Sequence, residues 1–292
     1  MAGVTLGVVG LGNIGGPIAS RLAEKFFVQG VDPAKDERSA PKGVALAKTV
    51  TTLATEVDVV CLSLPNSEAV LAVIAELASV PRNRRTVKLV IESSTVGVET
   101  AERSQVLARE AGMMYVDAPV SGGVPRARKG TLAIMCAGEP EAVAAADSVL
   151  RQMATNVFVM GDKAGMGQAM KLANNIIGAT ALAITSEALI FGERLGLSPA
   201  QMIDVINVST GRTEVSEIKF TQTILPRNYK GAFARVMGKD VSLFVKGVSE
   251  AGLDSHLAER TGEIWDQFVK DEPMKDFQYI YEYLRAKAGV SQ

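Results

Sequence analysis

Soft metal ligands and thiols are scarce in this sequence. Two cysteines and one histidine occur among 292 residues, which is too few for a disulfide framework or a zinc-type cluster. Cys61 and Cys136 lie inside apolar runs that predict buried strands. An excess of positive charge is also missing, since 31 Lys and Arg face 32 Asp and Glu. Without a positive field to hold phosphates, no nucleic-acid partner is expected, and no metal is expected either.

A targeting leader and a long uninterrupted apolar run are not recognisable. The chain enters an apolar strand by Val4, without a charged or apolar leader and without an Arg/Ser-rich transit segment. The longest helical apolar stretch, Leu172 to Ile184, is interrupted by Asn174, Asn175 and Thr180 and falls short of the about 20 residues that a membrane span needs. We therefore expect a cytoplasmic protein with no membrane partner, and interpret this stretch as a buried helix.

Two domains are expected, because 292 residues exceed the usual size of one domain. Up to about Gly161 apolar strands alternate with helical stretches, which predicts a doubly wound, mostly parallel α/β sheet with helices on both faces. Beyond Gly161 only helical patterns continue. We place the domains at 1–163 and 164–292, the second all-α. The predicted strands are TLGVV, FFVQGV, VDVVCLSL, VKLVIES, MMYVDA, TLAIMCAG and NVFVMG.

The first helix of the second domain is unusually long. Its pattern runs from about Gly167 to Leu195, which corresponds to roughly 43 Å at 1.5 Å per residue. From Leu172 to Ile190 it carries more apolar surface than one small helical domain is expected to cover. We predict a homodimer or homotetramer formed through the carboxy-terminal half.

A glycine-rich loop connects the first predicted strand to the first helix. Gly10, Gly12 and Gly15 allow a tight turn, close approach of a pyrophosphate, and tight packing of helix on strand. A structural turn is the alternative, but the strand and helix on either side favour a Rossmann-type dinucleotide site. The predicted cofactor-binding residues of this loop are Gly10, Leu11, Gly12, Asn13, Ile14 and Gly15.

Asp32 ends the second predicted strand, twenty residues after Gly12. A carboxylate there accepts hydrogen bonds from the adenosine ribose and repels a 2′-phosphate, which favours NAD over NADP. Two alternatives stay open. Lys35 and Arg38 could neutralise a 2′-phosphate, or Asp32 could serve only the Asp32-Pro33 turn.

Two further segments suggest the chemistry. The strand MMYVD leads into a loop of small residues, Ser121, Gly122 and Gly123, whose N–H groups and hydroxyl suit an anionic group, although an ordinary turn is the alternative. Farther on, Lys171 and Asn175 are four residues apart and project from one face of an apolar helix. Removing a lysine from water favours its neutral form and makes it a usable general acid or base. A lysine that reaches solvent is the alternative.

These segments together resemble the β-hydroxyacid dehydrogenase family, in particular its short members that act on 3-hydroxyisobutyrate or tartronate semialdehyde. The resemblance covers nearly the whole chain. The motifs are GVVGLGNIGGPIA, VVCLSLPNSEAV, SST at 93–95, DAPVSGG, GMGQAMKLANN and GKD at 238–240.

The resemblance implies a role for each motif. The glycine loop binds the pyrophosphate, Leu64, Pro65 and Thr95 line the cofactor, and Lys239 lies near the nicotinamide. The Ser121 loop holds the carboxylate of a small substrate. Lys171 is the catalytic residue and Asn175 contacts the substrate. The implied activity is NAD(P)-dependent interconversion of a 3-hydroxy acid and its semialdehyde or oxo acid.

Other functions remain open on this pattern. The Asn174-Asn175 pair argues against 6-phosphogluconate dehydrogenase itself, and Lys171 argues against an imine reductase, which shares the architecture but usually lacks that lysine. A catalytically silent dinucleotide-binding scaffold is the non-enzyme alternative. Arg212 could meet a second acidic group of the substrate or be a surface residue, and His256 is expected to be packed or exposed without a catalytic role.

Overall fold

The chain, described here over residues 3–290 by a computed structural model, divides into two compact units. One unit ends at Lys171 and the other begins at Leu172, so the division falls inside a long helix. The sequence-based boundary between 163 and 164 lies just before that helix, and it stays a prediction about which parts fold independently.

The first unit is built on a nine-stranded sheet whose first six strands are parallel in the order β3-β2-β1-β4-β5-β6. This order reverses between β1 and β4, which is the topological switch point of a Rossmann-type fold and confirms the predicted fold class. The six strands are β1 Thr5–Val9, β2 Phe27–Val31, β3 Val44–Leu46, β4 Val59–Leu62, β5 Leu89–Glu92 and β6 Met114–Asp117.

Three more strands extend the sheet beyond β6. They are β7 Val120–Ser121, β8 Leu132–Ala137 and β9 Ala154–Gly161. β8 runs antiparallel to β6 and β7 and parallel to β9. β3 and β7 were not predicted, because strands of three and two residues are too short to show a periodic pattern.

Helices cover both faces of this sheet. The alternation of strand residues shows the two faces, since Leu89 and Ile91 belong to one apolar cluster and Val90 to another. Each cluster is closed by helices packed over it. The helices of the first unit are α1 Gly15–Leu22, α2 Val50–Glu56, α3 Ser67–Ser79, α4 Val98–Glu110, α5 Gly123–Lys129 and α6 Pro140–Met153.

The second unit is helical, as predicted, and it packs around Trp265, Phe220 and Phe268, all fully buried. The Trp265 indole N–H donates to the Ala179 carbonyl at 3.3 Å, so the large aromatic residue keeps a polar partner. The elements after the sheet are α7 Met166–Arg194, α8 Pro199–Asn207, a π-helix Val215–Ile224, α9 Ala234–Glu250, α10 His256–Asp271, a 3₁₀ turn Phe277–Tyr279 and α11 Ile280–Lys287.

α7 matches the predicted long helix to within one residue at each end. Within residues 3–290 it is the one helix long and apolar enough to cross a membrane by length and composition, and half of its most apolar window is buried. Buried residues such as Leu172, Ile176 and Ala179 follow helical spacing, so the helix is buried along one face and exposed along another.

Candidate active site

The glycine loop between β1 and α1 has a shape that only glycine allows. Gly10 has φ of 91°, and a Cβ on it would lie 2.2 Å from the Ser63 carbonyl oxygen. A Cβ on Gly15 would lie 1.9 Å from the Gly10 oxygen. At Gly12, by contrast, a Cβ would meet nothing within 4 Å. Two glycines are therefore required by the fold itself, and the third borders open space.

The open space at Gly12 lies at the start of α1, whose first turn holds no acidic residue. Unpaired N–H groups and the positive end of a helix dipole suit a pyrophosphate at this place. Asn13 is exposed, Ile14 half-buried and Leu11 buried, so the loop presents backbone and one amide side chain outward. The residues present fit a dinucleotide.

Asp32 follows β2 and supports the same loop. Its Oδ2 accepts a hydrogen bond from the Leu11 N–H at 2.8 Å, and its Oδ1 accepts from the Ala34 N–H at 2.9 Å. The carboxylate thus ties the glycine loop to the turn after β2. Each oxygen retains a lone pair that can accept from a ribose hydroxyl. Lys35 is half-buried and Arg38 exposed beyond the turn.

The loops after β4 and β5 are linked on the other side of the switch point. The Leu64 N–H donates to the Ser94 Oγ at 2.6 Å. Leu64 and Thr95 are half-buried and Pro65 is exposed, so all three lie at the carboxyl edge of the sheet. In a doubly wound sheet a ligand binds outside the carboxyl ends of the strands at the switch point.

The Ser121–Gly123 loop follows β6 and includes β7. Gly122 and Gly123 have φ of 129° and 67°, a backbone that other residues rarely adopt. Ser121 pairs with Ala133 of β8 and is half-buried. Among residues 3–290 no side chain or backbone group forms a hydrogen bond with its hydroxyl. The loop therefore offers a hydroxyl and backbone N–H groups to an anion.

The start of α7 is pressed against the edge of the sheet. Gly165 has φ of 95°, and a Cβ on Gly167 would lie 2.3 Å from the Met135 carbonyl oxygen and 2.9 Å from Oδ2 of Asp117. Any larger residue at position 167 would push the helix away. The two glycines of the GMGQ motif therefore set how closely the helix approaches β6 and β8.

Asp117, the last residue of β6, receives the helix. Its Oδ2 accepts from the N–H groups of Gly165 and Gln168, both at 3.0 Å, and its Oδ1 accepts from the Gln168 Nε2 at 2.8 Å. Burial raises the pKa of this carboxyl group to about 6, against the lowering effect of the hydrogen bonds from Gln168 and Gly165. Asp117 is completely buried, so its carboxyl group holds the start of α7 and does not face solvent.

The Gln168 side chain joins this helix to the loop after β5. Its Nε2 donates to the Ser94 carbonyl at 3.0 Å, and its Oε1 accepts from the N–H groups of Val96 and Gly97 at 2.9 and 3.2 Å. Sequence reasoning missed both Asp117 and Gln168 as site residues. The available signal was a polar residue in the first turn of an apolar helix, directly after a glycine.

Lys171 is buried on α7, with 8 % of its surface exposed. The alternative that this lysine reaches solvent is therefore wrong. Asn175, one turn along on the same face, is also 8 % exposed, and its Nδ2 donates to Asp240 Oδ2 at 2.7 Å. The Lys239 ammonium lies 3.3 Å from the other oxygen of Asp240. Within the second unit, α7 and α9 thus bring the predicted residues 175 and 239 to one carboxylate.

His256 and Arg212 are both exposed. His256 is at the first position of α10, and Arg212 lies 3.8 Å from Glu217. Over residues 3–290 no group of three or more His, Cys, Asp or Glu is placed to hold a metal ion.

Two family models match the chain, one in each half. The model described as the NAD binding domain of 6-phosphogluconate dehydrogenase matches residues 5–161. The model described as the NAD-binding domain of NADP-dependent 3-hydroxyisobutyrate dehydrogenase matches residues 165–284.

Individual relatives match over nearly the full length. A probable 3-hydroxyisobutyrate dehydrogenase of Mycobacterium bovis is 34 % identical over 98 % of this chain and 99 % of its own. The structure of the Mycobacterium tuberculosis 3-hydroxyisobutyrate dehydrogenase with L-serine is 32 % identical, has a TM-score of 0.87, and covers 97 % of this chain and 99 % of its own.

A more distant structure shares the fold alone. An imine reductase of Myxococcus stipitatus in complex with NAD⁺ has a TM-score of 0.65 and 18 % identity over 96 % of this chain and 99 % of its own. Full-length relatives, both family models and the geometry of the glycine loop agree. The chain belongs to the β-hydroxyacid dehydrogenase family of NAD(P)-dependent oxidoreductases.

Proposed function

We propose that this chain uses NAD to interconvert a small 3-hydroxy acid and its semialdehyde or oxo acid, with Lys171 as the general acid and base. The observation that carries this proposal is the burial of Lys171 one helical turn before Asn175, on a helix whose start is held by Asp117 and Gln168. A lysine is rarely buried for packing alone, because its ammonium group is costly to remove from water. A buried lysine at this place is well suited to proton transfer.

The cofactor is assigned to the carboxyl edge of the sheet. The amino-terminal residues of α1 and the open space at Gly12 hold the pyrophosphate. Leu64, Pro65 and Thr95 line the cofactor, as the family resemblance implies. When bound, NAD supplies the hydride acceptor for the carbon that carries the hydroxyl. Lys239 is assigned to the cofactor by the family resemblance.

Asp32 supports NAD over NADP. Its two oxygens are held in place by N–H groups of Leu11 and Ala34, so the carboxylate is oriented before any ligand binds. A 2′-phosphate brought to an oriented carboxylate would meet like charge, whereas a ribose hydroxyl would donate to it.

The substrate carboxylate is assigned to Ser121, Gly122 and Gly123. The positive-φ glycines expose their N–H groups, and the hydroxyl of Ser121 can donate beside them. A carboxylate bound there needs no side-chain cation, since hydrogen bonds to an anion are stronger than neutral ones.

Transfer of the substrate hydroxyl proton is assigned to Lys171. In the oxidation direction the neutral amine takes the proton of the substrate hydroxyl, and in the reduction direction the ammonium returns it to the carbonyl oxygen. One N–H of the Asn175 amide is used by Asp240, and its Oδ1 accepts from Asn174 at 3.2 Å. The second N–H of Asn175 is left to hold the substrate oxygen.

An absorbance assay of NADH formation tests this proposal. Purified protein is incubated with NAD and a panel comprising 3-hydroxyisobutyrate, glycerate, threonate and their sulfonated analogues. We expect saturable turnover of at least one compound and none with 2-hydroxy acids of equal size that lack a 3-hydroxyl group. A protein that binds NADH but turns over no compound in either direction would instead be the silent scaffold.

Imine reduction is a second candidate activity. The fold alone allows it, but the buried Lys171 speaks against it, because that family usually lacks the lysine. Reduction of cyclic imines faster than of any semialdehyde in the same assay would favour the imine reductase.

The oligomeric state is part of the proposal. Four residues of α7, each seven apart, form an exposed apolar stripe: Met170, Ile177, Ile184 and Phe191, exposed by 42, 70, 57 and 67 %. A spacing of seven places them on one face of the helix, which is the pattern of a helix-to-helix interface. We propose that a second copy covers this stripe in a homodimer or homotetramer, and that the protein acts in the cytoplasm.

A further inference from the structure

We propose that Gln168 is a positioning residue of the reaction, which fixes Lys171 relative to the loop that carries Thr95. The inference rests on the proposed function, since it needs Lys171 to be the proton-transfer group. Gln168 touches neither substrate nor cofactor in this proposal and acts through the helix turn that it anchors.

The Gln168 amide uses its complete hydrogen-bonding capacity. Two N–H groups and two lone pairs are available on a glutamine side chain. The N–H groups donate to Ser94 O and Asp117 Oδ1, and the oxygen accepts from Val96 N and Gly97 N. The side chain is fully buried, so the four bonds hold without competition from water. Three of the four bonds hold the loop after β5.

Asp117 fixes which end of the Gln168 amide faces it. As a carboxylate it only accepts, and it accepts from two backbone N–H groups of the helix start as well as from Gln168 Nε2. The Gln168 amide cannot flip by 180°, because its oxygen would then face the carboxylate and its NH₂ group would face the N–H groups of Val96 and Gly97. Asp117 therefore orients Gln168, and Gln168 orients the loop.

Two parts of the proposed site meet at this side chain. Thr95 lies between Ser94 and Val96, both bonded to Gln168, so its loop cannot move without breaking these bonds. Lys171 lies three residues after Gln168 on a continuous helix, about 4.5 Å along its axis. A misplacement of about 1 Å is enough to lower turnover strongly. The Gln168 amide thus sets the distance between the cofactor-lining loop that carries Thr95 and the proton-accepting Lys171.

The test uses Gln168→Met in the full-length protein, with Gln278→Met as the matched control. Both replace a buried glutamine by an apolar residue of similar length, and Gln278 lies in the second unit beside Asp276. We expect Gln168→Met to lower kcat about tenfold or more while NADH affinity, measured by fluorescence, changes less than about threefold. Gln278→Met should leave kcat within about twofold of wild type. Equal kcat losses in both variants would overturn the inference.

A double-mutant cycle separates positioning from general damage. If Gln168 acts through Lys171, Gln168→Met should change turnover less than about twofold in a Lys171→Ala background. The same tenfold loss in both backgrounds would show that Gln168 acts independently of the lysine and would overturn the inference. Unchanged turnover in Lys171→Ala alone would instead overturn the proposed function.

Gln168→Glu provides a second variant that keeps the shape of the side chain. One carboxyl oxygen still accepts from Val96 and Gly97, but the other faces Asp117 and must carry a proton to donate to it. We therefore expect the kcat of Gln168→Glu, relative to wild type, to rise as the pH falls from about 8 to about 6, as the new carboxyl group gains its proton. A ratio independent of pH over this range would contradict the directed network.

Discussion

The buried carboxyl group of Asp117 predicts an unusual pH dependence of stability. Burial raises its pKa from 3.8 to about 6, which corresponds to about 3 kcal/mol. The folded protein holds this proton more tightly than the unfolded chain. The contribution of this carboxyl group to stability is therefore largest below pH 3.8. As the pH rises from 3.8 to about 6, the unfolded chain releases the proton first, and this contribution to stability is lost.

The assay is urea denaturation of wild type and Asp117→Asn at several pH values between about 3 and 7. The variant is expected to be less stable throughout, because its NH₂ group faces N–H donors, so the comparison uses only the change with pH. The free energy of unfolding of wild type minus that of the variant should fall by about 3 kcal/mol across this range. Parallel curves, or a difference that grows with pH, would show that the folded protein does not bind the Asp117 proton more tightly than the unfolded chain.

Three further predictions concern the cofactor and the assembly. NAD should give a higher kcat/KM than NADP, and Asp32→Ser should narrow the difference; equal efficiency of the two cofactors in wild type would lead to withdrawal of the assignment. Gly12→Ala should keep the melting temperature within about 2 °C but weaken NADH binding at least about tenfold. Gly10→Ala should lower the melting temperature, and a Gly10→Ala variant as stable as wild type would show that the fold does not require a glycine there. Ile184→Glu, in the exposed stripe of α7, should yield monomers in light scattering, and a wild type that is itself monomeric at micromolar concentration would exclude this interface.

The parts of the fold that are local in sequence could be predicted. The β1–loop–α1 segment combines an apolar run, a glycine spacing and a helix start within twenty residues, and each signal supports the others. The limits of α7 were predicted closely because a long apolar helix ends at the Gly196-Leu197-Ser198-Pro199 break.

The parts that depend on distant contacts could not be predicted. Asp117 and Gln168 are 51 residues apart, and Asn175 and Asp240 are 65 apart, so neither pair leaves a pattern in a single sequence. The predicted catalytic lysine was identified from its helix and the family resemblance, whereas the side chains that hold its helix depend on how β6 and α7 meet. Tertiary hydrogen bonds of this kind supply position, which residue types and spacing alone do not encode.

The exchange of Lys171 for alanine and for arginine, followed by turnover and NADH binding, decides whether this lysine transfers the proton. Lys171→Ala should lower turnover by about 10²–10⁴, the range typical of general acid–base groups, with NADH affinity nearly unchanged. Lys171→Arg should fail almost as badly, because a guanidinium stays protonated and cannot take a proton from the alcohol. An arginine variant that keeps more than about a tenth of wild-type turnover would show that Lys171 acts only as a fixed positive charge and does not transfer the proton.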